Sequence, residues 1–182
     1  VNVTWTIFDG MKMFAVKKRL GLNEKLSELE LKQQMETAVY DIIVAYYDVV
    51  KVNELMKAAK QNLSIYEERK KIAKLKLEIG SDTKVDFLLT QSDENKAKST
   101  IIQLEVQLTQ AKTKLNNLLA RPVDTDFKTI DSITVNYEPK IEELKKSVIS
   151  SNSSVLISKQ NELIATQLVK ESRSTNLPFV QL

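Results

Sequence analysis

The chain has 182 residues, a net charge of +3 and neither cysteine nor histidine. Disulfides, thiolate chemistry, imidazole catalysis and the commonest zinc sites are therefore excluded. Lysine and glutamate are interspersed, a pattern typical of solvated helix faces, so the small positive charge indicates no nucleic-acid partner. Only three glycines and three prolines interrupt the chain, which predicts a mainly α protein with long helices. No apolar run approaches the roughly 18 residues that favour a membrane-spanning helix.

Residues 1–8 alternate between apolar and polar side chains, which predicts a β-strand. Its apolar face suits either the edge of a small soluble sheet or the lipid side of a β-barrel. The first residue, Val1, lies inside this element, so we expect the chain to be a piece of a longer protein. Asp9 and Gly10 form the predicted turn that follows.

No proline occurs from residue 11 to residue 79, which favours one helix of about 100 Å at 1.5 Å per residue. A helix of that length needs partners along it, and Gly21 weakens it by roughly 1 kcal/mol relative to alanine. Residues 38–50 are apolar on nearly every side and therefore need neighbours on more than one side. We interpret the three tyrosines of this segment as core or interface residues (Tyr40, Tyr46, Tyr47).

The stretch 51–119 is predicted to form two helices that meet at one turn, 78–84. Apolar positions on both arms alternate at steps of four and three, the 3.5-residue period of an antiparallel coiled-coil hairpin. The predicted seam is Val52, Met56, Ala59, Leu63, Tyr66, Lys70, Ala73 and Leu77 on the first arm, and Ala97, Ile101, Leu104, Leu108, Ala111, Leu115 and Leu118 on the second. Gly80 supplies the left-handed residue that ends the first helix. The charged run 67–71 is predicted to be solvated.

The second helix is predicted over residues 86–119, with Ser81, Asp82 or Thr83 as its N-cap, and it ends before Pro122. A mixed segment follows, with a short β-like run at 133–135. Two shorter helices are predicted at 140–150 and 155–172, and a second strand opens at 179–182. Because two strands cannot close a barrel, we expect the end strands to be poorly ordered or paired with a neighbouring copy.

Four sequence motifs, taken in order, resemble the outer-membrane efflux protein family, the TolC-like channels. Residues 5–10 (WTIFDG) resemble its strand-to-helix entry, and residues 77–80 (LEIG), with Asp86 six residues later, resemble its helix-tip turn. Residues 115–120 (LNNLLA) resemble the close of the returning helix, where Ala120 replaces the usual glycine. Residues 176–182 (NLPFVQL) resemble the re-entry into the barrel.

The resemblance implies a homotrimeric outer-membrane duct, the channel component of a tripartite efflux or type I secretion system that exports drugs, metals or polypeptides. Its partners would be a periplasmic adaptor protein, an inner-membrane transporter and, around the barrel, outer-membrane lipid. The implied division of the chain is a barrel strand remnant at 1–8, a tunnel hairpin at 11–119 with its tip at 78–86, an equatorial segment at 120–153, a returning tunnel helix at 154–175 and the next barrel strand at 177–182. Most of the segment would then be periplasmic.

Carried over by position, the tip that docks on the adaptor comprises Ile79, Gly80, Ser81, Asp82 and Thr83. Asp86 matches an aspartate that helps to close the periplasmic aperture, and the alternative role for it is an ordinary helix N-cap or first-turn acid. Lys76 lies at a position where members of this family frequently have an arginine, and it keeps the positive charge without the planar guanidinium group.

Two other classes of protein remain open alternatives. A periplasmic adaptor of the membrane-fusion type also has a long helical hairpin, but its flanking glycine-rich lipoyl-like halves are missing here. A soluble coiled-coil scaffold accounts for the heptads but not for the end strands. An enzyme is disfavoured, because no catalytic, cofactor or metal motif occurs in the sequence.

Overall fold

The computed structural model describes residues 6–130 and 140–181. Its elements are β1 (Thr6–Asp9), α1 (Lys12–Glu78), α2 (Lys84–Leu118), α3 (Ile141–Ser151), α4 (Ser153–Ser174) and β2 (Phe179–Gln181). The protein is therefore mainly helical, as predicted. Residues 1–5 of the predicted first strand and the predicted β-like run at 133–135 lie outside the described residues.

Helix α1 is a single helix of 67 residues, within one residue of the predicted bounds at each end. It continues through Gly21, beside which no atom lies within 4 Å of an added Cβ. The chain forms two compact units: Ala38–Asn136, and Val1–Thr37 with Tyr137–Leu182. The part of α1 up to Thr37 belongs to the unit that contains α4 and packs against α4. The part of α1 from Ala38 belongs to the unit that contains α2 and packs against α2.

In the unit 38–136, α1 packs against α2 along a narrow stripe. All eight seam positions predicted on α1 are buried or half-buried, and so are six of the seven on α2. Lys70 of α1 contacts Glu94 of α2, while Val49 clusters with Leu115. Because later residues of α1 meet earlier residues of α2, the two helices are antiparallel. The seventh position predicted on α2 is wrong: Leu118 is 38% exposed, because α2 ends there.

The core of this unit forms around Ala45, Val49 and Leu115. Ile42, Tyr46, Leu108, Ala111 and Phe127 pack against it. The segment after α2 folds back over the core through hydrogen bonds, in which Asn116 Nδ2 donates to the carbonyl oxygens of Val123 and Thr125, both at 2.9 Å. The backbone N–H of Ile130 donates to the Tyr46 hydroxyl at 3.2 Å. Of the three tyrosines, Tyr46 contributes to the core, while Tyr40 and Tyr47 are exposed.

In the other unit, α1 packs antiparallel to α4 along a seam of polar residues. The buried residues of α4 recur every seven positions and are all uncharged and polar: Ser153, Gln160, Gln167 and Ser174. Ser153 Oγ donates to Glu36 Oε2 at 2.7 Å, and Gln160 Nε2 donates to the Leu22 carbonyl oxygen at 2.8 Å. An ion pair joins Arg19 Nε to Glu171 Oε2 at 3.0 Å. We name these four residues of α4 the polar seam.

Strands β1 and β2 pair with each other, antiparallel, with Phe8 opposite Val180 and Asp9 opposite Phe179. This corrects the expectation that the end strands are poorly ordered or pair with another copy. The turn between β1 and α1 contains Gly10 at φ +66°. A Cβ there would lie 2.5 Å from the Ser174 carbonyl oxygen, so only glycine fits where the two ends of this unit meet.

Candidate functional site

The predicted docking tip lies in the loop between α1 and α2, and a Schellman motif ends α1 there. The N–H of Gly80 donates to the Leu77 carbonyl at 3.1 Å, and the N–H of Ser81 donates to the Lys76 carbonyl at 2.9 Å. These are the two bonds of that motif, with Gly80 at φ +75° as its left-handed residue. No atom lies within 4 Å of an added Cβ at Gly80. Its backbone conformation, not crowding, therefore requires glycine.

Thr83 is the N-cap of α2, one of the three residues that the sequence allowed. Its Oγ1 accepts from the N–H of Asp86 at 3.2 Å and donates to Asp86 Oδ2. The N–H of Thr83 donates to Asp82 Oδ1 at 3.0 Å. The structure thus brings Asp82, Thr83 and Asp86 together in one capped helix start. Asp86 lies in the first turn of α2, where the helix dipole favours an acid.

The carboxyl of Asp86 is exposed and held as an anion. The hydrogen bond that the Thr83 hydroxyl donates to the carboxylate lowers the pKa of Asp86 below its usual value. Asp86 is therefore ionised at neutral pH. An exposed carboxylate at the end of a helix pair presents a fixed negative charge to cations or to a neighbouring chain.

Apolar side chains surround this polar turn and are exposed. Ile79, beside Gly80, is 77% exposed. Others are Ile72 and Leu75 on α1, and Val85, Leu88 and Leu89 on α2. The described residues of the tip and of the adjoining helix ends therefore form an exposed apolar surface around a polar turn.

A buried charge cluster, which the sequence analysis missed, lies about three helical turns from the tip. Glu94 is only 4% exposed, and it forms ion pairs with Lys70 across the helix pair and with Lys98 on its own helix, both at 2.6 Å. The prediction that Lys70 is solvated is therefore wrong. The signal was present, because Glu94 lies three residues before Ala97 and continues the 4-3 spacing of the α2 seam back by one step. Glu94 was missed because it is charged, whereas the seam was identified from apolar residues.

No group of three or more histidine, cysteine, aspartate or glutamate residues within 6–130 and 140–181 is arranged to hold a metal ion. Within the same ranges, no helix is both long and apolar enough to cross a membrane.

The family model for the outer membrane efflux protein matches residues 1–121, about two thirds of the chain. This chain belongs to the outer membrane efflux protein family. The match includes β1, α1, the tip and α2, and ends just after the turn at Ala120. Comparison with curated proteins gives no match.

Members of the outer membrane efflux protein family are channels, so membership makes the chain, in general terms, a component of an outer-membrane efflux channel. It also associates the chain with the outer membrane and with multi-component efflux assemblies. The family that the sequence motifs indicated is thereby confirmed, with residues 176–182 lying outside the matched range.

Proposed function

We propose that this chain is a tunnel segment of a homotrimeric channel, in which α1 and α2 form a coiled-coil hairpin of a periplasmic α-helical barrel. The channel would serve a tripartite efflux or type I secretion system and export drugs, metals or polypeptides. Closing such a barrel requires helices that pair side by side, so each helix needs an apolar seam on both sides.

A second apolar stripe on each helix is the observation that carries this proposal. On α1 the exposed residues Ile65, Ile72, Leu75 and Ile79 follow 3.5-residue spacing, two residues out of phase with the buried seam. On α2 the same spacing holds for two separate pairs of exposed apolar residues, Val85 with Leu88 and Ile102 with Val106. The positions between these pairs are polar (Ser92, Asn95, Ser99). Two helices that have paired with each other, and still present apolar residues at regular positions, are suited to further helices on either side.

The tip residues 79–83 are proposed to dock on a periplasmic adaptor protein, which in turn connects to an inner-membrane transporter. The exposed Ile79 and the apolar residues around it supply the contact area. Asp86 is proposed to restrain the periplasmic aperture through its fixed negative charge, in addition to its observed part in the cap of α2.

The remaining segments take their roles from the same proposal. Residues 1–8 and 177–182 would continue into an outer-membrane β-barrel surrounded by lipid. Residues 11–119 would form the tunnel hairpin with its tip at 78–86, and residues 120–153 the equatorial region. Residues 154–175 would be the returning tunnel helix. The family match favours this channel over an adaptor hairpin or a soluble scaffold.

Cysteine cross-linking in cells tests the docking of the tip. The variant Ser81→Cys in the full-length protein is expected to cross-link to a cysteine at the hairpin tip of the adaptor. Ser81 is preferred to Thr83 because the Thr83 hydroxyl caps α2. Replacing Gly80 by a bulky residue in the same background is expected to abolish both the cross-link and export.

The matched control is Ser64→Cys, an exposed serine on the same helix about 25 Å from the tip at 1.5 Å per residue. It is expected to give no cross-link to the adaptor. Cross-linking of Ser64→Cys with an efficiency equal to that of Ser81→Cys would contradict docking at the tip. Recovery of the chain from the soluble cytoplasm would contradict the channel itself.

A further inference from the structure

A cavity of about 400 Å³ lies where α1 begins and α4 ends, beside the paired strands. Its apolar wall includes Met11, Phe14 and Leu177. Its volume is within the range of small-molecule sites, about 300 to 1,000 Å³.

One glutamine of the polar seam lines this cavity. The polar seam of α4 holds four buried residues, and Ser153, Gln160 and Ser174 each make a hydrogen bond. The fourth, Gln167, is only 6% exposed as a residue, and its side chain lines the cavity. Among the described residues its amide has no hydrogen-bond partner, which leaves the amide available to a ligand.

A glutamine amide has two N–H donors as well as a carbonyl acceptor. Gln167 therefore supplies hydrogen-bond donors inside an otherwise largely apolar cavity.

Three cationic side chains line the same cavity: Lys18 from α1, and Lys170 and Arg173 from α4. Among the residues that the structure describes, none of the three forms an ion pair, and no acidic side chain lines the cavity. The charge at its rim is therefore positive and uncompensated. An anion would pair with these groups by charge-assisted hydrogen bonds, of which arginine makes the bidentate kind with phosphate.

We propose that this cavity is a binding site for an anionic amphiphile, a phospholipid with a negatively charged headgroup. The headgroup phosphate binds Lys18, Lys170 and Arg173 and accepts a hydrogen bond from the Gln167 amide. The first part of the acyl chain lies against Met11, Phe14 and Leu177. The site stands on the cavity itself and does not depend on the export function or on docking at the tip.

Native mass spectrometry of the full-length protein in a neutral detergent tests the site. The probes are short-chain phosphatidylglycerol, phosphatidylcholine of the same chain length, and inorganic phosphate. Phosphatidylglycerol is expected to bind saturably and at least about tenfold more tightly than phosphatidylcholine, because the choline cation of phosphatidylcholine is repelled by the three cationic side chains whereas the glycerol headgroup is uncharged. Inorganic phosphate, which gains nothing from the apolar wall, is expected to bind more weakly than phosphatidylglycerol.

Two variants and one control assign the binding to this cavity. Lys18→Gln with Arg173→Gln removes two exposed cations, and Gln167→Glu places an anion where the amide donates. Each is expected to weaken phosphatidylglycerol binding by about tenfold or more. Lys25→Gln with Lys146→Gln removes the same charge from exposed positions outside the cavity, and binding is expected to stay unchanged.

Three results would overturn the proposal. The first is equal affinity for phosphatidylglycerol and phosphatidylcholine, and the second is an equal loss of binding in the control variant. The third is inorganic phosphate binding as tightly as the lipid, which would make the ligand a free anion. If Gln167→Glu does not fold, the double variant Lys18→Gln with Arg173→Gln decides the matter, because both of its positions are exposed.

Discussion

Ala120 holds a backbone conformation that costs an alanine free energy. Its φ is +51°, and it occupies the position that Gly80 occupies at the end of α1. The same pair of bonds closes α2, since the N–H of Ala120 donates to Asn117 and the N–H of Arg121 donates to Asn116. A Cβ in the left-handed region costs roughly 1 to 2 kcal/mol relative to glycine. The end of α2 is therefore a strained version of the end of α1.

The variant Ala120→Gly is expected to raise the free energy of unfolding by about 1 kcal/mol, because it removes this strain. Urea denaturation followed by circular dichroism measures the change. The control is Ala58→Gly, an exposed alanine inside α1, which is expected to lower the free energy of unfolding by about 1 kcal/mol. The same substitution is thus expected to change the free energy of unfolding in opposite directions at the two positions, and only the backbone conformation of the alanine accounts for that difference. A loss of stability from Ala120→Gly would contradict the strain at Ala120.

Glu94 is the buried charge of the α1–α2 seam. Hydrogen bonds from Lys70 and then from Lys98 lower the pKa of Glu94 below its ordinary value near 4.5. Because the folded protein holds this carboxyl as an anion more firmly than the unfolded chain does, its contribution to stability is complete above pH 4.5. That contribution is lost as the pH falls through the lowered pKa.

The variant Glu94→Gln is expected to unfold at a lower urea concentration than the natural sequence at neutral pH, with the difference shrinking as the pH falls below about 4.5. The urea midpoints of both proteins, measured from neutral pH to below about pH 4.5, test this expectation. Glu68→Gln is the matched control, since Glu68 pairs with Lys71 on the exposed surface and contributes little. A difference between the natural sequence and Glu94→Gln that persists unchanged at acid pH would rule out the titration of Glu94 as its cause.

At the scale of the elements, seam spacing determines which leucines support the helix pair. Leu115 is 2% exposed and belongs to the core cluster, while Leu118, one turn later, is exposed. The two residues have the same side chain on the same helix. The difference between them is burial, which sets how much a truncation costs.

Leu115→Ala is expected to lower the free energy of unfolding by about 3 kcal/mol, through lost apolar burial and the cavity left behind. Leu118→Ala is expected to lower it by clearly less, about 1 kcal/mol, because Leu118 is 38% exposed and loses less apolar burial. Thermal and urea unfolding of both variants provide the measurement. Equal losses would show that Leu118 is buried in the folded protein, as the sequence pattern predicts.

The α1–α2 pair was predictable from sequence because its seam is apolar, and the ends of α1 and α2 followed from Gly80 and Pro122, whereas α2 begins at Lys84, two residues earlier than predicted. The seam between α1 and α4 was not predictable in that way. Its repeating residues are polar, such as Gln160, so no hydrophobic period shows where α4 is buried. The pairing of Lys70 with Glu94 was missed for the same reason. At the tip, the sequence limited the cap to three residues, but only the backbone geometry decides among them.

At the scale of the whole molecule, the first and last described elements meet. Phe8 of β1 lies opposite Val180 of β2, with an irregularity in the register between Thr6 and Phe8. Opposed residues of antiparallel strands have Cα atoms about 4.5 to 5.5 Å apart, within reach of a disulfide. The pairing therefore links residues that are far apart in the sequence.

The double variant Phe8→Cys with Val180→Cys is expected to form a disulfide within one chain on mild oxidation. Non-reducing gels and peptide mass mapping detect it. Phe8→Cys with Gln181→Cys is the control, since Gln181 lies opposite Thr6 and successive side chains on a strand point to opposite faces. A disulfide that joins two chains would instead support pairing with a neighbouring copy.

The regular register between α1 and α2 also constrains how such a hairpin changes length during evolution. Inserting one residue in an arm turns every later side chain by about 100°, which moves the seam off its partner. Adding seven residues to each arm keeps the seam and extends the reach of the hairpin by about 10 Å. Related hairpins should therefore differ in length by paired heptads, with other insertions confined to the tip or to the segment after α2.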